Sequence, residues 1–365
     1  MSALSLDIAA RRVLTCYPSA LRGGRLVALG NYRGFSGARL WRLEGPLGAF
    51  CLRAWPPGDP SPDRLRFLHR LMAQARASGL ECVPSLLATE DGSTWVEEAG
   101  RLWELTTWMP GRADYHDRPT LPRLRAACVE LARLHRVWAG VGTTTGPCPA
   151  VERRLRRVRD WQERIASGWR PVFAAPSPPT PLLRSRGEEG RITSLSPYGG
   201  RGGGDEGGDA TDPVRPWAER AWRLLPVWVG RVPQLLAPWT GRPLPLQPCL
   251  CDIWHEHVLY EGDRVTGLID FGGVKIDQVA ADLARLLGSL AEDDPAGWAA
   301  GLEAYAGVRP LAPEEEALAR VLDRTGVIVG VMTWLRWLYE EGRSFEDRGA
   351  AAGRLAALVR RMERW

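Results

Sequence analysis

The chain has 365 residues, 48 of them basic and 43 acidic, for a net charge of +5. Lys275 is the one lysine and the other 47 basic residues are arginines, so a nucleotide site built on a lysine from the first two thirds of the chain is excluded. The charge is small and scattered, which excludes a nucleic-acid footprint, and the Arg153 to Arg159 cluster falls on a helical pattern that reads as a solvated face.

The N-terminus, Met1 to Val13, lacks an uninterrupted apolar core behind a basic start and is not expected to act as a secretory signal. Seven cysteines, an odd number at low density, fit reduced thiols, and a cytoplasmic location is expected. Short β runs are predicted at Arg25 to Tyr32, Ala38 to Leu43 and Gly48 to Trp55, with a Gly34-Phe35-Ser36-Gly37 turn between the first two. Asp63 to Ser78 carries Leu65, Leu68, Leu71, Met72 and Ala75 at helical spacing, behind Ser61-Pro62 and ahead of Gly79. Strands around Thr94 to Glu98 and Leu102 to Trp108 complete a small sheet, and Leu121 to Val137 is an amphipathic helix. Residues 174–213 lose apolar periodicity and fill with Pro, Ser, Gly and Arg, which predicts a disordered insertion inside a helical domain. Beyond it come Trp217 to Trp228 and a hairpin from Val258 to Phe271. Helices are expected at Val279 to Leu290, Asp294 to Ala306, Pro313 to Leu322, Gly326 to Glu341 and Arg348 to Arg364. The longest apolar stretch, from Gly326, is stopped by Arg336 well short of the ~20 residues of a membrane span.

The stretch from Leu250 to Gly272 carries the chemistry. Asp252 lies in a loop, a hairpin follows, and Asp270 stands at the end of its second strand, in Ile269-Asp270-Phe271-Gly272. Phosphoryl transfer divides labour between two such carboxylates, one orienting the attacking hydroxyl and one holding the metal that bridges the nucleotide phosphates. A hairpin between them sets their separation.

Asp252, the Ile269 to Gly272 run and Asp282-Leu283-Ala284 in the next helix resemble the aminoglycoside phosphotransferase and choline kinase-like family, which shares the protein-kinase fold. The resemblance implies an α+β, two-lobed architecture. Residues 1–108 would form a small antiparallel β N-lobe with one helix, and residues 109–365 a mainly helical C-lobe carrying the catalytic hairpin. It implies an ATP-dependent phosphotransferase acting on a hydroxyl of a small molecule, with Mg²⁺ or Mn²⁺, and no nucleic-acid or membrane partner. Asp252 would be the catalytic base, Asp270 the principal metal ligand, and Asp282 a structural residue holding the catalytic loop. Backbone groups of Thr107 and Met109 would face adenine, and Ser36 would lie over the phosphates.

Three positions depart from the family pattern. Leu250 replaces the loop histidine, His257 the second metal-ligand asparagine, and Arg53 the strand lysine; Arg53 still places a cation near the phosphates, and His257 is a nitrogen ligand. The helix from Asp63 to Ser78 offers no glutamate on its inward face to pair with Arg53. These departures leave open a nucleotide-binding pseudoenzyme of the same fold. Cys249, Cys251, His255 and His257 crowd into one short window and leave open a zinc-stabilised binding protein, although alternate residues of an extended segment point to opposite faces. The tryptophans of Thr333 to Tyr339 read as core, and Glu340 and Glu341 as solvated carboxylates or partners of a cationic substrate.

Overall fold

The computed structural model describes residues 3–30, 37–173, 212–345 and 347–365; Ser36 and almost all of the 174–213 stretch lie outside them. The chain forms two compact units, residues 1–157 with 232–326, and residues 158–231 with 327–365.

The first unit opens with helices α1 (Ala3–Leu14) and α2 (Ser19–Arg22), followed by β1 (Arg25–Gly30), β2 (Arg39–Gly45), β3 (Gly48–Ala54), α3 (Pro62–Ala77), β4 (Val96–Glu98) and β5 (Arg101–Thr107). The strands make one antiparallel sheet in the order β1-β2-β3-β5-β4. Helices α1 and α2 stand ahead of the strands, where the sequence pattern predicts none. Leu6, Ala9, Ala10, Val13 and Leu14 recur at helical spacing and are buried with Trp41, Leu43, Leu52, Trp103 and Leu105 of the sheet. Burial of each leucine contributes about 1.5–3 kcal/mol. Trp41 and Trp103 stack at 5.2 Å between centroids.

Helix α3 starts where Ser61 accepts the Arg64 N–H at 3.3 Å, and ends before Gly79 at φ +82°. Its stripe of Leu65, Leu68, Leu71, Met72 and Ala75 is buried as the periodicity requires.

After β5 come α4 (Leu121–Ala139), β6 (Thr144–Pro147), α5 (Pro149–Ala166), α6 (Arg215–Leu236), β7 (Pro243–Cys249), β8 (Val258–Glu261), β9 (Arg264–Leu268), β10 (Lys275–Asp277), α7 (Ala280–Leu290), α8 (Pro295–Ala306), α9 (Pro313–Tyr339) and α10 (Arg348–Glu363). The expected hairpin is the antiparallel pair β8 and β9. A second sheet, β10-β7-β6, was hidden from the sequence because Pro243, Pro245 and Pro248 of its central strand remove ladder donors and read as loop. Two helices expected on either side of Gly326 are one, α9. Gly326 serves close approach rather than a break, since a Cβ there would meet Arg154 Nη2 at 3.4 Å, and that side chain donates to Leu322 O at 3.2 Å. Arg153 and Arg154 are likewise partly buried rather than solvated, and Arg153 pairs with the buried Asp277.

In the second unit, rings meet edge to face in Trp161–Trp169, Trp169–Trp222 and Trp228–Trp365. Trp334 is buried and packs on Phe345 at 5.3 Å between centroids. Glu340 is paired with Arg164, and Glu341 lies 2.9 Å from Arg336 and 2.6 Å from Arg343.

Candidate active site

The Asp252 loop leaves β7 at Cys249 and is held from beneath by one carboxylate. Asp282, fully buried near the start of α7, accepts the backbone N–H groups of Leu250 and Cys251, each at 2.6 Å. Its Oδ2 also lies 3.0 Å from His135 Nε2, and His135 Nδ1 is 2.7 Å from the Tyr305 hydroxyl. Asp282 therefore holds the loop, as the resemblance implied. Leu250 is buried at the position of the missing histidine. Cys251, just before Asp252, takes the left-handed conformation at φ 61°, a strain that the two N–H bonds to Asp282 offset. The turn delivers Asp252 to the surface, its side chain half exposed and paired with Arg285 of α7.

Asp270 follows β9 and is also left-handed, at φ 63°. The hairpin that carries it is pinned to the segment after β5. Arg112 and Tyr260 exchange backbone hydrogen bonds at 3.1 and 3.0 Å, and the Thr266 hydroxyl donates to Pro110 O at 2.8 Å. Gly111, at φ +92°, is required because a Cβ would collide with that hydroxyl, and a Cβ on Gly267 would lie 2.9 Å from Met109 Cβ. Below the hairpin, a Cβ on Gly273 would lie 2.7 Å from Leu250 O and 2.8 Å from Asp252 Cβ, so the segment after Asp270 packs directly on the Asp252 loop.

His257 lies between the Asp252 backbone and the Asp270 carboxylate. The Trp254 indole N–H, a donor only, points at His257 Nε2 at 3.0 Å, which places the ring proton on Nδ1, and Nδ1–H donates to the Asp252 carbonyl at 2.7 Å. Nε2 also lies 3.8 Å from Asp270 Oδ2. From β3, Arg53 Nη1 donates to Asp270 Oδ1 at 3.2 Å. Desolvation pushes the Asp270 carboxyl up, but the Arg53 guanidinium outweighs it and holds the group below the ordinary carboxylate value. Arg64 of α3 adds a hydrogen bond to Gly272 O at 2.9 Å.

Of the residues singled out in the sequence, Asp252, Asp270, His257 and Arg53 come together. Thr107 ends β5, where its N–H donates to Ser85 O at 2.9 Å and its hydroxyl accepts the Ser85 N–H at 2.9 Å. Met109 is buried two residues on. The zinc reading finds no gathered ligand set, because the two cysteines turn to Asp277 and the two histidines turn elsewhere. Cys249 Sγ faces Asp277 O at 3.5 Å, Cys251 Sγ faces Asp277 Oδ2 at 3.9 Å, and His255 packs against His116 with centroids 4.1 Å apart. Among the described residues, the His, Cys and carboxylate atoms close enough to share an ion are those of His135, Cys249 and Asp282. There the carboxylate and imidazole are occupied by the loop bonds, and burial first, then Asp282, pushes the Cys249 thiol far up.

Four residues went unseen in the sequence. Glu104 of β5, 6% exposed, stands opposite Arg53 in the β3–β5 register, with Oε1 3.7 Å from Arg53 Nε. His69 of α3 donates from Nε2 to Glu104 Oε2 at 2.7 Å. Arg285 and Trp254 are the others. Arg285 lies three residues after Asp282, one helical turn along α7, a spacing that marks it as a neighbour of the loop. Glu104 leaves no local signal, because only strand pairing brings it to Arg53.

Residues 30–182 and 204–322 match the phosphotransferase enzyme family. A homoserine kinase from Brucella anthropi is 26% identical over 311 residues, covering 83% of this chain and 77% of that protein. A spectinomycin phosphotransferase solved with ADP and spectinomycin superposes with a TM-score of 0.63 at 9% identity, covering 100% of this chain and 98% of the other. A microcompartment-associated aminopropanol kinase superposes with a TM-score of 0.58 at 16% identity, covering 98% and 97%. The sheet, the hairpin and the helices after it thus make the mixed α+β fold of these kinases. Among the described residues no helix is long and apolar enough to cross a membrane. Because the matched segments carry Arg53, Asp252 and Asp270, the residues that the structure brings together, the chain belongs to the phosphotransferase enzyme family.

Proposed function

We propose that this chain transfers the γ-phosphate of ATP to a hydroxyl of a small molecule. The observation that carries the reading is the gathering of the Asp252 loop and Asp270 around one imidazole, His257, which donates to the Asp252 backbone carbonyl and lies beside the Asp270 carboxylate, with Arg53 bonded to Asp270 from the sheet. Asp252, half exposed at the loop surface, would orient the acceptor hydroxyl and take its proton as the new O–P bond forms. The bond from the γ-phosphorus to the bridging oxygen breaks, and ADP leaves with that electron pair. Arg53 would bind phosphate oxygens, and the catalytic gain would come from positioning and charge stabilisation. Adenine would meet the Thr107 carbonyl and the Met109 N–H, which has no hydrogen-bond partner among the described residues. The positions around Ser36 are proposed to cover the phosphates.

The donor set fits a hard divalent cation at Asp270, an ionised and partly exposed carboxylate. When bound, such an ion neutralises charge on the bridged phosphates. His257 would join it as a ligand only after giving up the Trp254 N–H; in the arrangement described it braces the loop. That engagement favours a second reading, a nucleotide-binding protein with impaired turnover.

Homoserine, named by the relative matched over 83% of the chain, is the first acceptor to test, followed by amino alcohols and aminoglycosides. Transfer from labelled ATP with Mg²⁺ or Mn²⁺ is expected in the wild type, and Asp252→Asn should lower kcat roughly 10²- to 10⁴-fold with ATP binding retained. Tight ATP binding without transfer to any acceptor would instead establish the second reading.

A further inference from the structure

The arginine at position 53 poses a geometric problem. An ammonium is a point charge on a flexible stem, whereas a guanidinium offers five N–H donors in fixed directions and must be held in one rotation to present them. Helix α3 supplies no carboxylate to do this. The sheet does: Arg53 and Glu104 are direct cross-strand partners, so their side chains share a face. Glu104 Oε1 lies 3.7 Å from Arg53 Nε, Asp270 Oδ1 lies 3.2 Å from Nη1, and the guanidinium rests 4.8 Å over the Trp55 ring. Two carboxylates thereby engage two different nitrogens of the fork and block its rotation, leaving the remaining donors for another acceptor.

Glu104 is itself held. His69 Nε2–H donates to its Oε2 at 2.7 Å, and His69 Nδ1 is 2.7 Å from the Thr94 hydroxyl. Burial pushes the Glu104 carboxyl up, but the His69 bond and Arg53 outweigh it and keep it ionised. A buried charge set of this kind adds little net stability compared with well-packed apolar side chains, so stability alone does not account for it. Its effect is orientation.

We propose that Glu104, carried by β5 and locked by His69 of α3, is the residue that positions Arg53 on the nucleotide phosphates. This rests on the phosphotransferase reading. Glu104 acts through Arg53 and is a positioning residue, and His69 links it to α3.

The test is steady-state kinetics of the full chain with ATP and acceptor varied separately. Glu104→Gln keeps shape and removes the charge. It should raise the KM for ATP about tenfold or more, the scale on which groups that orient a charged ligand act, with the acceptor KM unmoved. His69→Gln and Thr94→Val should raise it in the same direction by smaller factors. The double variant His69→Glu with Glu104→Gln returns a carboxylate to within one hydrogen bond of the same place and should recover part of the lost ATP affinity. If Glu104→Gln does not fold, His69→Gln and Thr94→Val decide alone, with binding of a non-hydrolysable ATP analogue as a second readout. Variants that lower kcat only in proportion to the folded fraction, with both KM values at wild type, would overturn the proposal. A wild type that neither binds nor uses ATP is seen before any variant is made, and would overturn the functional reading and this inference together.

Discussion

The two halves of the site are built in opposite ways. On the hairpin side, Asp252, His257, Asp270 and Asp282 follow one another along the chain, and backbone N–H groups donate to a single buried carboxylate. On the sheet side, Arg53, His69, Thr94 and Glu104 come from separate parts of the chain, brought together by the β3–β5 register and linked through their side chains. A loop held by its own backbone tolerates little change at the holding residue. A side-chain chain transmits position stepwise and can be weakened in steps.

The largest effect should follow from attacking the hairpin side at its base. Asp282→Ala leaves the Leu250 and Cys251 N–H groups and the His135 ring without their buried acceptor, and should cost about 3–5 kcal/mol of stability with loss of transfer. Denaturant midpoints at unchanged slope would measure it; a cost near that of a surface substitution would show that the loop is held by something else.

A smaller effect is expected from Gly273→Ala, whose Cβ would press on Leu250 O and Asp252 Cβ. Overpacking of this kind costs roughly 1–3 kcal/mol. Because the pressure falls on Asp252 and not on Arg53, kcat should drop while the KM for ATP stays near wild type, the reverse of the pattern expected for Glu104→Gln. If the two variants shifted the same parameter, the two halves would not be separable.

The smallest effect is on the sheet side and is read by pH. Glu104 and Asp270 are both held below their ordinary carboxylate values in the folded chain, so below about pH 5 the unfolded chain binds more protons than the folded one. Their contribution is complete above that range and is lost as pH falls through the folded values. Thermal midpoints should therefore decline on acidification, and the decline should be shallower in Glu104→Gln. An equal slope in the variant would mean that Glu104 titrates alike in both states.

The same contrast explains how much was legible in the sequence. The helix from Ser61, the hairpin and the Asp252, Asp270 and Asp282 run could be read because caps, alternation and spacing are local properties of the chain. Helix α1 was legible in principle from Leu6, Ala9, Ala10, Val13 and Leu14, but its alanines carry little hydrophobic contrast. The β10-β7-β6 sheet was not legible, because Pro243, Pro245 and Pro248 signal a loop wherever neighbouring strands are unknown. The crowding of Cys249, Cys251, His255 and His257 was real in sequence, yet in space the cysteines face Asp277 and the histidines do not join them.

By itself the sequence determined that no lysine stands ahead of Lys275, so that any cation reaching phosphates from the sheet is an arginine. It also ordered the two aspartates around a hairpin, because that order is covalent. Only the tertiary structure decided which carboxylate holds the arginine. Glu104 became the partner of Arg53 through the register of β3 on β5, and His69 the partner of Glu104 through the packing of α3. Such pairings depend on how distant segments share a buried face, and nothing in the spacing of residues along the chain records that.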